Sequence, residues 1–141
     1  MGKFKNEERA PRYLRDAINV RDKAMSGDIV WVVSPATVAP APTAAAWTRT
    51  VNIELQTAAG EVHEWFTDAI TSGVSIADTS TAGTASIPAT TLTITNGKGS
   101  VVVSGDEAAW LDTETDTLTV AEATILGTTV AAKTSVETFT A

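Results

Sequence analysis

An antiparallel β-sandwich is the fold class this sequence predicts, and three observations predict it. From Trp47 onward, short runs of alternating apolar and polar residues are punctuated by Gly, Asn and Asp. Those runs are rich in valine and threonine, which suit a pleated, half-buried surface. Helical periodicity does not recur after residue 28. A series of about seven or eight such strands is the pattern of two packed sheets. The apolar fraction of 43% supplies one core for a chain of 141 residues.

The elements follow in order. Residues 11–25, "PRYLRDAINVRDKAM", predict a helix, with Pro11 at its first position, where a missing N–H costs nothing. Tyr13, Leu14, Ala17, Ile18 and Met25 share one stripe, and "SGD" at 26–28 ends the run. About four turns of helix are marginal alone in water and need a surface to pack on, either the chain's own domain or a neighbouring subunit. "IVWVV" at 29–33 predicts a strand, and the following "SPATVAPAPTAAA", with Pro35, Pro40 and Pro42, reads as an extended linker. The expected organisation is a basic arm over 1–33, a Pro/Ala linker over 34–45 and a sandwich over 46–141.

Within the sandwich, "TVNIELQ" places Val51, Ile53 and Leu55 on one face and Asn52, Glu54 and Gln56 on the other. "TAAGE" turns the chain and "VHEWF" is expected to continue it as a second strand. "NGKG" at 96–99, between Leu92/Ile94 and Val101/Val103, predicts a tight hairpin, because Asn and Gly tolerate positive φ. "LGTT" at 126–129 is expected to join the last two strands.

Composition narrows function. Cysteine is absent, which removes disulfides, a thiolate nucleophile and Cys-based zinc sites. Residues 1–28 carry seven Lys/Arg against five acids, whereas the remainder carries three basic groups (Arg49, Lys98, Lys133) against twelve acids. An acidic body repels nucleic acid, so none is expected as a partner. No apolar run reaches a membrane span, and "MGKFKNEERAPRYLRD" lacks the apolar stretch of a secretory signal. The expectation is a protein that stays in the cell that makes it, with attachment by the basic arm and exposure of the acidic body.

Candidate sites are few. His63, the only histidine, sits in "GEVHEWF" near Glu61 and Glu64. A catalytic histidine needs a nucleophile, a carboxylate or a metal within reach, and two residues do not make a site. The pleat leaves two faces open: His63 with Trp65 toward the core, or Val62 with Phe66. Asp112, Glu114 and Asp116 in "DTETDT" read as a solvated turn ahead of a calcium site, because no Gly-punctuated calcium loop surrounds them. The four tryptophans, Trp31, Trp47, Trp65 and Trp110, suit a core or a subunit interface ahead of a sugar platform; Trp31, beside the arm, suits an interface anchor, and Trp65 and Trp110 are candidates for exposed aromatic contacts. No catalytic, cofactor-binding or metal-binding residue is assigned, and an enzyme is not expected.

The stretches "VNIELQTAAGEV", "LTITNGKGSVVVSG" and "DTLTVAEATIL" resemble the early strand, the Asn-Gly hairpin and the late strand of bacterial and bacteriophage immunoglobulin-like domains of the invasin/intimin kind. The resemblance covers residues 46–141 and encodes turns, with no shared catalytic residues to carry over. One such domain behind a basic arm resembles the capsid decoration and head-fibre proteins of tailed bacteriophages. That resemblance implies a structural virion protein, made in the host cytoplasm and placed on the capsid surface. Its implied partners are the phage major capsid protein and neighbouring copies of itself. Contacts are assigned to Lys3, Lys5, Arg9, Arg12 and Tyr13, continuing through Leu14, Arg15, Ile18, Arg21 and Trp31. The alternatives are a tail or fibre component with weak adhesion to host-surface glycans, and a cellular adhesion module.

Overall fold

The computed structural model describes residues 29–125 and 127–141, and these residues form strands and turns without a helix. The predicted helix at 11–25, and with it the arm contacts from Lys3 to Arg21, lies outside the described residues. The strands in order are β1 (Ile29–Ser34), β2 (Thr37–Pro40), β3 (Trp47–Thr57), β4 (Asp68–Ile70), β5 (Val74–Asp78) and β6 (Ala85–Ser86). They continue as β7 (Leu92–Ile94), β8 (Lys98–Gly105), β9 (Thr115–Val120), β10 (Ala123–Ile125), β11 (Thr128–Val130) and β12 (Lys133–Thr140). One four-stranded sheet runs β1-β3-β8-β6 and another runs β2-β12-β9-β5, with two small pairs, β4-β7 and β10-β11. Every pairing is antiparallel except β2 with β12.

Period-two patterning builds the core from both sheets. On β3, Val51, Ile53 and Leu55 are buried and Asn52 is exposed, as the sequence predicts. Val101 and Val103 of β8 point inward while Val102 faces solvent. Opposite them, Leu118 and Val120 of β9 and Phe139 of β12 complete a single apolar cluster. Each such aliphatic side chain contributes roughly 1.5–3 kcal/mol relative to exposure. The Asn96–Gly97 hairpin is present too: both residues have positive φ, and Thr95 and Lys98 exchange backbone hydrogen bonds across it.

The boundary expected near residue 45 does not hold. β1 pairs with β3 along its whole length, Trp31 lying opposite Leu55, and Trp31 is 1% exposed in the core. An indole so enclosed has no surface left for a partner, which removes Trp31 from the attachment residues. The proline-rich stretch is no free linker either, since β2 adds to the edge of the other sheet beside β12. Its prolines are compatible with this because Pro35 lies between β1 and β2 and Pro40 ends an edge strand, positions that need no donor. The chain therefore changes sheets between Ser34 and Thr37, at a cis Ser34–Pro35 peptide.

One charged residue joins these parts. Arg49 projects from β3 between the sheets; its Nε donates to Asp116 Oδ1 of β9 at 2.9 Å and its Nη1 to Ser135 Oγ of β12 at 2.9 Å. Ser135 Oγ in turn donates to the Pro35 carbonyl in the crossover. Glu137, next inward on β12, accepts from Thr37 Oγ1 of β2 at 2.7 Å. Burial pushes the Asp116 carboxyl above its ordinary value of 3.8, against the pull of the Arg49 hydrogen bonds and charge, and Glu137 and Asp78 add to the push. For an acid raised in the folded state, ionisation costs stability above the folded pKa, and the cost is relieved as pH falls toward 3.8. Arg49→Met strands that carboxylate, so urea unfolding at pH 7 is expected to show a loss of about 3–5 kcal/mol. The deficit should shrink as pH falls and Asp116 protonates, and Arg49→Met/Asp116→Leu should recover most of it.

Candidate functional site at the loop end of the sandwich

Three connections meet at one end of the two sheets: residues 58–73 from β3 to β5, residues 87–97 from β6 to β8, and residues 121–132 from β9 to β12. Pairing of β4 with β7 ties the first to the second, and an Ala121 N–H to Gly73 carbonyl bond ties the third to the first. β1 begins at this end as well, because Ile29 lies opposite Thr57.

"GEVHEWF" forms the inner part of the first connection. The turn predicted at "TAAGE" is present, with Thr57 N–H bonded to the Glu61 carbonyl and Gly60 at positive φ. The strand expected after it is not. Val62 makes one bridge to Gln56, and then the Phe66 N–H bonds back to the His63 carbonyl at 3.1 Å. His63 and Phe66 are therefore both buried, three residues apart, which no strand register allows. Gly97 makes this fold possible: its φ is +79°, and a Cβ there would stand 2.6 Å from the His63 carbonyl oxygen. Its N–H bonds the Phe66 carbonyl and its own carbonyl accepts from Leu55 N–H, so the hairpin and the histidine turn lock each other.

His63 is 1% exposed, and its Nδ1 accepts the Trp65 indole N–H at 2.9 Å. Indole only donates, so Nδ1 carries the lone pair and the ring proton sits on Nε2. Trp65 stands edge-to-face against both His63 and Phe66, with ring centroids 5.7 and 5.8 Å apart. Its half-exposed indole borders a cavity of about 340 Å³. Phe66, Asp68, Ile70 and the β10 residues Ala123, Thr124 and Ile125 line the rest. Of these, sequence reasoning flagged Trp65 alone. Asp68 and β10 carry no signal for the site, because two segments far apart in sequence create it.

The other candidates are structural. Trp110 is 2% exposed, so it is not an exposed contact: it packs with Trp47 and Phe139 at the opposite end, ring centroids 4.8–5.3 Å apart. The "DTETDT" carboxylates are not a solvated turn, since alternation along β9 turns Glu114 and Asp116 inward with Leu118. Asp112 is exposed and accepts from Ala141 N–H. Glu114 accepts from the N–H groups of Leu111 and Thr81, both at 2.8 Å, and from the Thr81 hydroxyl. Among the described residues, no three His, Asp or Glu side chains gather to hold a metal ion.

No family model matches this chain, and no curated protein does. Among solved structures, domains 4 and 5 of the S-layer protein SbsC align over 79% of this chain, with 15% identity and a TM-score of 0.39. The aligned part spans 44% of the length of that S-layer chain.

Two substitutions test these local constraints. The Leu111 N–H, ahead of the Thr81 donors, holds Glu114 below its ordinary 4.5 despite burial. Its stabilising contribution is present above 4.5 and is lost as pH falls through the lowered folded value. Glu114→Gln is therefore expected to flatten the acid limb of a urea-midpoint profile measured between pH 6 and 3, the wild type losing stability more steeply on that limb. Gly97→Ala is expected to cost about 1–3 kcal/mol, through positive φ and the clash with the His63 carbonyl. Thermal unfolding reads the loss, and Trp65 fluorescence should shift with it.

Proposed function

We propose that this chain is a structural virion protein, a capsid decoration protein of a tailed bacteriophage, in which an immunoglobulin-like domain is displayed by a basic amino-terminal segment. Strand order supports the fold part of this reading. With β1 and β2 counted as one split first strand, the main strands pair first-second-fifth-fourth in one sheet and first-seventh-sixth-third in the other. That order supports an immunoglobulin-like sandwich. β4, β7 and the β10-β11 hairpin are additions to the connections at one end.

The observation that carries the functional part is a division of charge with a defined place of attachment. The domain from residue 29 on holds three basic groups against twelve acids, and the segment of 28 residues before it holds seven against five. That segment leads into the domain at the loop end, where β1 begins opposite Thr57. The mechanism is passive: a protein that binds only the assembled shell stabilises it by mass action, and many weak copies add by avidity. Attachment contacts are assigned to Lys3, Lys5, Arg9, Arg12, Arg15 and Arg21 with the stripe of Tyr13, Leu14 and Ile18. The partners are the major capsid protein and neighbouring copies.

Deleting residues 1–28 leaves every described core residue in place. The shortened protein is expected to lose co-sedimentation with phage particles while keeping its thermal transition. Undiminished incorporation would overturn the role of the segment.

A further inference from the structure

We propose that the loop-end cavity is a docking site for one basic side chain, lysine or arginine, carried on an apolar stretch of a partner protein. The inference rests on the cavity alone and does not require the virion reading. Trp65 and Phe66 form its aromatic wall, Ile70 and Ile125 its aliphatic wall, and Asp68 supplies the only charge among the described lining residues. An aromatic face beside a carboxylate is the environment that favours a cation with an apolar stem. The stem packs on the hydrocarbon and the head meets both the ring quadrupole and the anion. The surrounding domain reinforces the preference, with three basic groups against twelve acids, and disfavours phosphates, sulfates and acidic peptides.

The aromatic wall is set before any ligand arrives. Hydrogen bonding to buried His63 and the edge contact with Phe66 fix the Trp65 ring, so little side-chain entropy remains to be lost on binding. Asp68 Oδ1 accepts the Ala69 N–H at 2.8 Å, which orients the carboxylate in the same way. A volume of about 340 Å³ suits one long side chain with its flanking methyl groups. A sugar ring fits the lining less well: its hydroxyls need several fixed polar partners, and among the described lining residues only Asp68 and Thr124 carry a carboxylate or hydroxyl.

The test uses the full-length protein, isotopically labelled and titrated with N-acetyl-Leu-Arg-Leu-amide, with its Leu-Glu-Leu counterpart and with methyl glucoside. The basic peptide is expected to shift the Trp65 indole resonance and the Asp68 and Thr124 amides, with a dissociation constant on the order of 1 mM. Asp68→Asn keeps an oxygen for the Ala69 N–H and removes the charge. It should weaken the peptide about fivefold without moving the Trp65 resonance of the unliganded protein. Equal shifts with the acidic peptide, stronger binding of the glucoside, or unchanged affinity in Asp68→Asn would each overturn the proposal. So would a nuclear Overhauser contact between Trp65 and Leu14 or Ile18, which would give the cavity to the chain's own segment. Particle co-sedimentation reads the role of residues 1–28 separately, so either idea fails without the other.

Discussion

Arg49 is the residue on which the rest of the architecture depends. It is the one cation between the two sheets among the described residues, and it touches three strands and, through Ser135, the crossover of the first. Removing a guanidinium from water is costly, and the cost is offset here because its donors find a carboxylate, a hydroxyl and a backbone carbonyl. The gain is specificity more than stability. A one-residue slip of β3 would turn Arg49 to solvent and leave Asp116 alone in the core, so a wrong register carries a large penalty. Among the described residues, Asp116 Oδ2 has no hydrogen-bond partner.

The network also divides the interior. Toward the Trp47 end, the inner face of the second sheet carries the polar Glu114, Asp116, Ser135 and Glu137 beside Phe139. Toward the loop end it is Leu118 and Val120, backed by Val51, Ile53 and Leu55. Order is supplied at one end by directional bonds together with the Trp47, Trp110 and Phe139 rings, and at the other by packing around His63, Phe66 and Ile94. The cavity therefore sits on loops held from beneath by close-packed side chains and from within by the Gly97 contacts. That is the footing a recognition site requires.

Legibility in the sequence followed the range of the interaction. β3, β8 and the Asn96–Gly97 turn were readable because alternation and positive φ are local. The strand at 29–33 was readable too, but its place in the sandwich was not, and β2 was missed because its partner lies far along the chain: Thr37 meets Glu137 of β12. Prolines that suit an edge strand then looked like a linker. Glu114 and Asp116 were misplaced because charged residues on a strand ordinarily mark the solvent face, and partners distant in sequence, Thr81 for Glu114 and Arg49 for Asp116, reverse that rule. Trp65 drew attention as an aromatic beside the single histidine. Its turn depends on a glycine more than thirty residues away, so neither its orientation nor the cavity was written locally.

The parallel seam between β2 and β12 has a mechanical meaning. Ile29 lies at the loop end, whereas Pro40 and Thr140 lie together at the other. Tension applied between Ile29 and Thr140 pulls the two strands past one another lengthwise, loading their hydrogen bonds together instead of peeling them singly. The side-chain bonds from Thr37 to Glu137 and from Ser135 to Pro35 lie across the same seam and share the load. A pull between Ile29 and Thr140 is thus resisted by the whole seam at once.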